Sequence, residues 1–434
     1  MSKYFVGLFI SISLVFSAGA QGRLTLPDAL SIALKNSYQI QLAKDNLEIA
    51  TINNHMGIAG GLPIVNMQAI DNEQITSINQ QFPDAARDVK RDGVSSNILT
   101  GNVTGSILLY NGFRVKAAKG RLEELAKLNQ GLLNAQIQNT LAIVNTSYFN
   151  VIRNQYFLKS INQSIEVSKQ RLDILNNKKE IGLANSADIY QAQLDLNTLF
   201  QLAESQKLII KQSKTDLLNF IFVNPDSSIT ITDTITIDRN INLAEIKSLS
   251  QQNPQLIATE QQIRINEYLE KEVSALRSPT LRATTGFTIS STSSAAGFIL
   301  LNQSYGPQVG INLAIPIYNG SINKRQEKVA KVNTRIAKTQ RDNVLLNIET
   351  GIVKTYQTYS STLDQLKTAK ENYDLSIKLL DLVIKRFELG QATVIDLRVA
   401  QNSFETESFR MANLTFTAKV AEIELKRLAN QLAL

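Results

Sequence analysis

Several residue types that enzymes and secreted proteins commonly rely on are missing from this sequence. Among its 434 residues there is no cysteine and no tryptophan, and His55 is the only histidine. Without cysteine the chain can form no disulfide, and it cannot carry a lipid on an N-terminal cysteine. The sequence also has no glycine-rich phosphate-binding loop and no residues spaced to hold a metal. We therefore expect no enzyme, no cofactor and no metal site.

Long runs of one charge are missing as well. The formal net charge is +7, but the basic residues are spread along the chain rather than clustered. Nucleic acid is recognised by concentrated basic patches, so we expect no nucleic-acid partner. Hydrophobic residues make up 43% of the chain and aromatic residues only 6%, which indicates a sizeable, mainly aliphatic core.

The first 20 residues, MSKYFVGLFISISLVFSAGA, have the pattern of a secretory signal peptide. Lys3 precedes an apolar run over residues 4–16, and the segment ends in Ala-Gly-Ala. An uncleaved membrane anchor is the alternative, but the run is shorter than the roughly 20 residues that a spanning helix needs. We expect cleavage before Gln21 and a mature chain outside the cytoplasm.

The mature chain contains an internal repeat. The segment FELGQATVIDLRVAQNSF, residues 387–404, aligns with KEIGLANSADIYQAQLDL, residues 179–196, so that Gly390 pairs with Gly182 and Asp396 with Asp188. The same offset of 208 residues places the Tyr-Asn-Gly at 318–320 over the one at 110–112. Landmarks in one register indicate a tandem duplication with a period near 210 residues. We place the first repeat at 21–228 and the second at 229–434.

Long helices dominate both repeats. Mostly apolar positions recur every three or four residues, and the seam has the same register in both repeats. The seam consists of Leu158, Ile161, Ile165, Ser168, Leu172 and Leu175 in the first repeat, and of Leu366, Ala369, Tyr373, Ser376, Leu380 and Val383 in the second. We predict long helical hairpins over 112–222 and 320–431, and a further helix over 242–277.

Ahead of each hairpin the sequence period changes to two, which is typical of strands with one apolar face. We predict strands at about 62–71, 96–110, 280–290 and 307–318. The segments between them, TSINQQFPDAARDVKRDG and SSTSSAAGFILLN, have the composition of exposed loops. Such strands are long enough to cross a bilayer, although a soluble sheet is the alternative. Since four strands cannot close a membrane barrel, the barrel interpretation requires several chains to share one.

A glycine interrupts each long helix. Gly182 and Gly390 can adopt the left-handed conformation that ends a helix, and Asn185-Ser186 or Thr393 can cap the next one. Asp188 and Asp396 then lie in a first helical turn, where the helix dipole favours a carboxylate. A plain helical turn with no further role is the alternative for each aspartate.

Taken together, the signal peptide, the opening LTLPDALSIALKNSYQIQLAKDNLEIA, the paired Tyr-Asn-Gly helix starts and the paired Gly and Asp turns resemble the TolC-like outer-membrane efflux proteins, or outer membrane factors. The resemblance implies a mostly α-helical fold with a β-barrel portion. In it, a homotrimer forms a shared twelve-stranded transmembrane β-barrel from four strands per chain. Long antiparallel helical hairpins continue it as an α-barrel. The implied location is the outer membrane of a Gram-negative bacterium, with the helices in the periplasm.

The implied function is a channel-tunnel that exports drugs or other small molecules from a tripartite complex. Its partners would be a periplasmic adaptor (membrane fusion) protein, an inner-membrane pump of the RND or ABC type, and outer-membrane lipid. Within the transport class, a duct for type I protein secretion is the alternative. From another class, the alternative is a periplasmic coiled-coil scaffold without a channel, which would need no detergent for extraction.

The same resemblance places the periplasmic entrance at the hairpin turns. Asp396 matches the carboxylate that rings the closed entrance, and Asp188 matches a first-repeat aspartate that in some members bonds to a Tyr and an Arg of the second repeat. The turn residues implied for adaptor contact are Gly182, Leu183, Ser186, Gly390, Thr393 and Val394.

Three positions depart from the family pattern. Phe387 and Ala392 occupy the positions where the polar partners of Asp188 would be needed. Val399 occupies the position of a second acidic ring that some members have. Other residues must then hold the resting gate, and Arg386, Glu388 and Arg398 are the candidates.

Overall fold

The computed structural model describes residues 22–295 and 300–433. The expected signal peptide, residues 1–20, lies outside the described residues. In chain order the elements are β1 (Gly22–Arg23), α1 (Leu26–Asn36), α2 (Tyr38–Asn53), β2 (Ile64–Gln80), β3 (Val89–Tyr110), α3 (Arg114–Glu180), α4 (Ser186–Phe220), β4 (Ile229–Thr230), α5 (Leu243–Leu249), α6 (Pro254–Ser274), β5 (Thr280–Ser294), β6 (Leu301–Ala314), α7 (Ile322–Glu388) and α8 (Val394–Leu428).

The chain divides into two compact units, and each unit takes segments from both sequence repeats. The first unit comprises the described residues up to Tyr38, Ile137–Ser250 and the residues from Thr350 onward. It includes α4, α8 and the C-terminal parts of α3 and α7. The second unit comprises Gln39–Gln136 and Gln251–Glu349, and it includes β2, β3, β5 and β6. The repeat boundaries at 21–228 and 229–434 stay a prediction.

The helices of the two halves match in length and position. α3 and α7 have 67 residues each, and α4 and α8 have 35 residues each. Left-handed backbone conformations recur at the same offset, at Gly112 and Gly320, Phe113 and Ser321, Gly182 and Gly390, and Phe222 and Asn430. These matches support the tandem duplication. Over the described ranges, the helices include no segment with the length and apolar character to span a membrane.

Four strands form one antiparallel sheet in the order β2-β3-β5-β6. Residues directly opposite one another on neighbouring strands share a face, so the register separates two sets of side chains. The apolar face includes Val65, Met67, Val103, Ile107, Leu281, Phe287, Ile289, Tyr305, Val309, Ile311 and Leu313. The polar face includes Asn66, Gln68, Asn102, Thr104, Ser106, Arg282, Thr284, Thr288, Gln308 and Asn312.

The strands are longer than the apolar pattern predicts. β2 extends to Gln80 and β3 starts at Val89, so only the short segment between them remains of the expected loop. Similarly, β5 reaches Ser294 and β6 starts at Leu301. The reason is that ladder hydrogen bonds join backbone groups, which continue to pair where the side chains become polar on both faces. β6 ends earlier than expected, at Ala314, because its partner strand β5 begins at Thr280.

The helix expected over 242–277 is divided. α5 ends at Leu249, a 3₁₀ turn covers Ser250–Gln252, and α6 starts at Pro254. Proline has no amide hydrogen for the preceding turn but is favourable at the first position of a helix. Asn253 caps this new helix, since its side-chain oxygen accepts a hydrogen bond from the backbone N–H of Gln255 at 2.9 Å. A second 3₁₀ turn, Ala275–Arg277, follows α6.

Most seam residues of the helices are buried, and the others are half-buried. Ile161, Ile165 and Leu175 of α3 are at most 5% exposed, and Ala369 and Leu380 of α7 are at most 6% exposed. A further core of the first unit surrounds Tyr148, whose hydroxyl donates to the Leu24 carbonyl at 3.0 Å and lies 2.6 Å from the Asp233 carboxylate. Burial raises the pKa of the Tyr148 hydroxyl well above its usual value. The hydrogen bonds of Tyr148 thus hold Leu24 and Asp233 at the edge of this core.

Gly112 and Gly320, at equivalent positions of the two repeats, differ in how closely their surroundings pack. Gly112 and Gly320 both have φ near 67°, where an L-residue costs roughly 1–2 kcal/mol. A Cβ added at Gly112 would lie 2.3 Å from the Cβ of Ser278, whereas one added at Gly320 would meet no atom within 4 Å. We expect Gly112→Ala to lower the thermal unfolding midpoint in detergent more than Gly320→Ala does. Equal losses, measured by circular dichroism, would contradict this.

Candidate functional site

The turns between the long helices, called here turn 1 (residues 181–185) and turn 2 (residues 389–393), have the same backbone. In turn 1 the N–H groups of Gly182 and Leu183 donate to the carbonyls of Lys179 and Lys178 at 3.0 and 2.7 Å. Turn 2 repeats this pattern with Gly390 and Gln391, at 3.1 and 2.8 Å. This pair of bonds around a left-handed residue is the Schellman motif. The glycines therefore end α3 and α7 as the sequence predicts.

The helices after the two turns start with different caps. In turn 1 the Asn185 side-chain oxygen accepts from the N–H of Asp188 at 2.9 Å. In turn 2 the Thr393 hydroxyl oxygen accepts from the N–H of Asp396 at 3.1 Å, and the Asp396 carboxylate accepts from the Thr393 N–H at 2.8 Å. Only turn 2 therefore has the reciprocal capping box.

This difference separates the two aspartates. The N–H and hydroxyl of Thr393 donate to the exposed Asp396 carboxylate, and these bonds, with nearby Arg386, hold its pKa below the usual value. Asp188 is half-buried, and its carboxylate makes no hydrogen bond or ion pair with any residue in the described part of the chain. Asp396 thus keeps a negative charge at the surface of turn 2 while also capping α8.

Apolar residues from all four helices pack beneath the turns. The cluster contains Leu175 of α3, Ala192 of α4, Leu380, Val383 and Phe387 of α7, and Leu397, Ala400 and Phe404 of α8. Phe387 is only 2% exposed, and the half-buried Ala392 packs on the same cluster. These two positions, where the resemblance implies polar partners for Asp188, here pack in the core instead.

Lys178 joins the two hairpins. Its Nζ lies 4.3 Å from the centre of the Phe387 ring and donates a hydrogen bond to the Phe387 carbonyl. That carbonyl also accepts from the Gly390 N–H at 3.1 Å, and it lies at the end of α7, where the helix dipole is negative. A cation–π contact and a charged hydrogen bond therefore connect the end of α3 to the end of α7.

The three sequence candidates for holding the gate make few contacts. Arg386 donates to the Gln391 carbonyl at 3.1 Å, within its own turn. Glu388 and Arg398 are exposed, and neither side chain has a hydrogen bond or ion pair with another described residue. The structure does not bring these three side chains together, and their roles stay predictions.

The residues predicted to contact an adaptor lie at the surface of the turns. Leu183 is 73% exposed, and Ser186 and Thr393 are exposed as well. Val394, the first residue of α8, is instead half-buried against the apolar cluster. Exposed leucines at a helix end are available to a partner protein.

Two buried polar contacts of the hairpins were not anticipated from the sequence. Arg171 of α3 is 1% exposed and pairs with Asp195 of α4 at 2.8 Å. Gln401 of α8 donates to the Ser168 hydroxyl of α3 at 3.0 Å. Seam position Ser168 was the available signal, because a polar residue in an apolar seam requires a partner.

The described residues contain no group of three or more His, Asp or Glu side chains arranged to hold a metal. What the turns offer is a charged, hydrogen-bonded rim over an apolar cluster. Such an arrangement can bind a partner or gate a passage.

Comparison with known proteins identifies the fold. The family model described as "Outer membrane efflux protein" matches residues 246–431. A search of curated proteins finds no match. Among solved structures, the outer membrane protein VceC of Vibrio cholerae matches with a TM-score of 0.76 and 15% identity, over 93% of this chain and 96% of that chain.

Two further structures agree. The CmeC outer membrane channel of Campylobacter jejuni has a TM-score of 0.75 at 15% identity, over 94% of this chain and 85% of its own. The MtrE outer membrane channel of Neisseria gonorrhoeae, in its open state, has a TM-score of 0.70 at 14% identity, over 93% and 88%. At these identities the matches establish the fold.

The family and these structures are outer-membrane proteins, in agreement with the location expected from the sequence. Their description as efflux proteins and channels also agrees with the expectation of a transport protein rather than an enzyme. Residues 246–431 therefore match the outer membrane efflux protein family, and the chain as a whole has the fold of outer-membrane channels, as the resemblance to TolC-like proteins predicts.

Proposed function

We propose that this chain is one subunit of a homotrimeric channel-tunnel that exports small molecules, including drugs. A periplasmic adaptor and an inner-membrane pump of the RND or ABC type would complete the tripartite complex. The observation that carries the proposal is a four-stranded sheet with one exposed apolar face and, among the described strands, two unpaired edges.

The apolar face needs a nonpolar environment. Val309 is 85% exposed, Met67 and Tyr305 are each 80% exposed, and Ile311 is 73% exposed. The apolar rows from Leu313 to Tyr305 extend over about 26 Å of strand at ~3.3 Å per residue. This is comparable to the outward-facing apolar band of outer-membrane barrels. The polar face would then line the lumen.

The edges of the sheet require further strands. β2 and β6 each have one neighbour among the described strands, so their outer N–H and C=O groups need partners that lipid cannot supply. The smallest membrane barrels have about eight strands, and one chain provides four. Copies of the chain, pairing β6 of one with β2 of the next, would satisfy both edges. The number three comes from the resemblance.

The turns would form the periplasmic entrance. In a trimer, each Asp396 would contribute one carboxylate to a ring that attracts cations and repels anions. Leu183, at 73% exposure, and Leu389, also at 73%, would offer apolar contacts to the adaptor. Lys178 would hold the hairpins of one subunit together in the resting state. Opening would require the two hairpins to separate.

Neighbouring threonines distinguish lumen from lipid. Thr284 lies on the polar face and Thr285 on the apolar face, and the chain has no native cysteine. We expect Thr284→Cys in reconstituted protein to react with a charged, membrane-impermeant thiol reagent, while Thr285→Cys is protected by lipid. Labelling read by mass spectrometry decides this. Equal labelling of both cysteines, in a protein extracted without detergent, would favour the soluble scaffold.

The charge of turn 2 predicts block by divalent cations. Asp396→Asn removes the carboxylate but keeps an oxygen acceptor for the Thr393 N–H, so we expect weaker Mg²⁺ block of single-channel current with intact folding. Because hydrogen bonds lower the pKa of Asp396, its charge persists at mildly acid pH. Block of the wild type should therefore be as strong at pH 5 as at pH 7. Asp381→Asn, an exposed carboxylate elsewhere on α7, is the control.

If Mg²⁺ block is unchanged in Asp396→Asn, or falls equally in Asp381→Asn, the ring of carboxylates is not at the entrance.

The lowered pKa of Asp396 also fixes how its contribution to folding stability depends on pH. A lowered folded-state pKa contributes stability at neutral pH, and this contribution is lost only as pH falls through the folded value.

Lys178 gives a test of the resting gate. Lys178→Met keeps an unbranched side chain but removes the cation–π contact and the hydrogen bond to Phe387, together worth about 1–3 kcal/mol. We expect a larger open fraction in planar-bilayer recordings. Lys179→Met is the matched control, because Lys179 is exposed and its side chain contacts no charged group or ring in the described part of the chain. Similar open fractions in both variants would mean that Lys178 does not hold the gate closed.

A further inference from the structure

The polar face of the sheet is almost free of charge. Within the ladder of β2 64–76, β3 94–108, β5 282–294 and β6 302–314, the residues on this face are Asn, Gln, Ser, Thr, Gly, Ala and a few aliphatic residues. Arg282 is the one ionisable side chain among them. An isolated charge in a neutral surround is screened by no neighbouring counter-charge, so its field acts on whatever passes it.

Contacts place the Arg282 guanidinium on this face. Its Nη1 donates to the Ser106 hydroxyl on β3 at 3.2 Å, and its register partners are Leu108 and Asn312. Thr284, the next residue on the same face of β5, donates its hydroxyl to the Gly310 carbonyl at 3.3 Å. Arg282 is exposed, and in the described residues it has no ion pair. Its positive charge is therefore held against the sheet but remains uncompensated.

We propose that Arg282 determines the charge preference of the barrel lumen and favours anionic solutes over cationic ones. The inference rests on the proposed function, since it needs the sheet closed into a barrel with the polar face inward. Each copy then supplies one guanidinium at the same level, because all copies share one register. Rings of Arg or Lys side chains are a recognised way to select anions in a pore. Small solutes with phosphate, sulfate or carboxylate groups are the class favoured at this level.

The absence of cysteine allows the charge to be changed after the channel has formed. Arg282→Cys would be reconstituted in a planar bilayer under a KCl gradient, and the reversal potential measured before and after thiol modification. We expect the unmodified variant to shift toward the potassium equilibrium potential. A methanethiosulfonate carrying a trimethylammonium group should shift it back toward the wild type, and one carrying a sulfonate should shift it further.

Thr285→Cys is the matched control, because it belongs to the same strand and faces the opposite side of the sheet. Neither reagent should change its reversal potential. Arg282→Lys, which keeps the charge, should behave like the wild type and shows whether the position tolerates substitution.

The outcomes separate the two levels of the proposal. If wild-type protein forms no conducting pore, the proposed function fails. If the pore conducts but the reversal potential of Arg282→Cys equals that of the wild type and responds to neither reagent, the role of Arg282 is overturned while the channel stands.

Discussion

Unpaired backbone groups at the two edges of the sheet are the constraint on which the rest of this molecule depends. Strands β2 and β6 each have one neighbour among the described strands, so one row of N–H and C=O groups on each has no partner strand there. Water could satisfy these groups, but the exposed apolar face beside them, with Val309 at 85% exposure, is unsuited to water. Lipid can cover the apolar face, but it offers no hydrogen-bond partners to the backbone groups at the edges. The proposed closure with further copies would satisfy both.

Polarity of the two sheet faces has a second consequence. In the proposed barrel the apolar face would meet lipid, whereas the inward face need only be wettable, and on that face this chain uses neutral Asn, Gln, Ser and Thr almost throughout. A neutral lumen of this kind would bind no ion strongly and so would permit passage. In such a surround a single charged position, Arg282, has more influence on selectivity than it would among many charges.

Much of this fold could be predicted from sequence, because duplication and periodicity are local signals. Gly182 and Gly390 predicted the helix ends, and both adopt the Schellman motif. Strand ends were less predictable. β2 continues to Gln80 through backbone hydrogen bonds, which leave no pattern in the side-chain sequence. Of the candidate site, the turns and caps were foreseen. The contact between Lys178 and Phe387 was not, because their sequence separation of 209 residues leaves no local pattern.

The two hairpins share a backbone but differ in what fixes them. In the first, the buried Arg171 pairs with Asp195 at 2.8 Å, and breaking such a pair by slippage would leave a buried charge without its partner. The equivalent positions of the second hairpin are Leu379 and Ser403, whose displacement costs only apolar contact and a local hydrogen bond. The second hairpin therefore depends more on its neighbour, through Lys178 on Phe387 and Ser168 on Gln401. These polar contacts lie beside the apolar cluster that all four helices share. In the proposed gate, separating the hairpins would therefore expose apolar surface as well as break the polar contacts, and a partner protein would have to cover that surface.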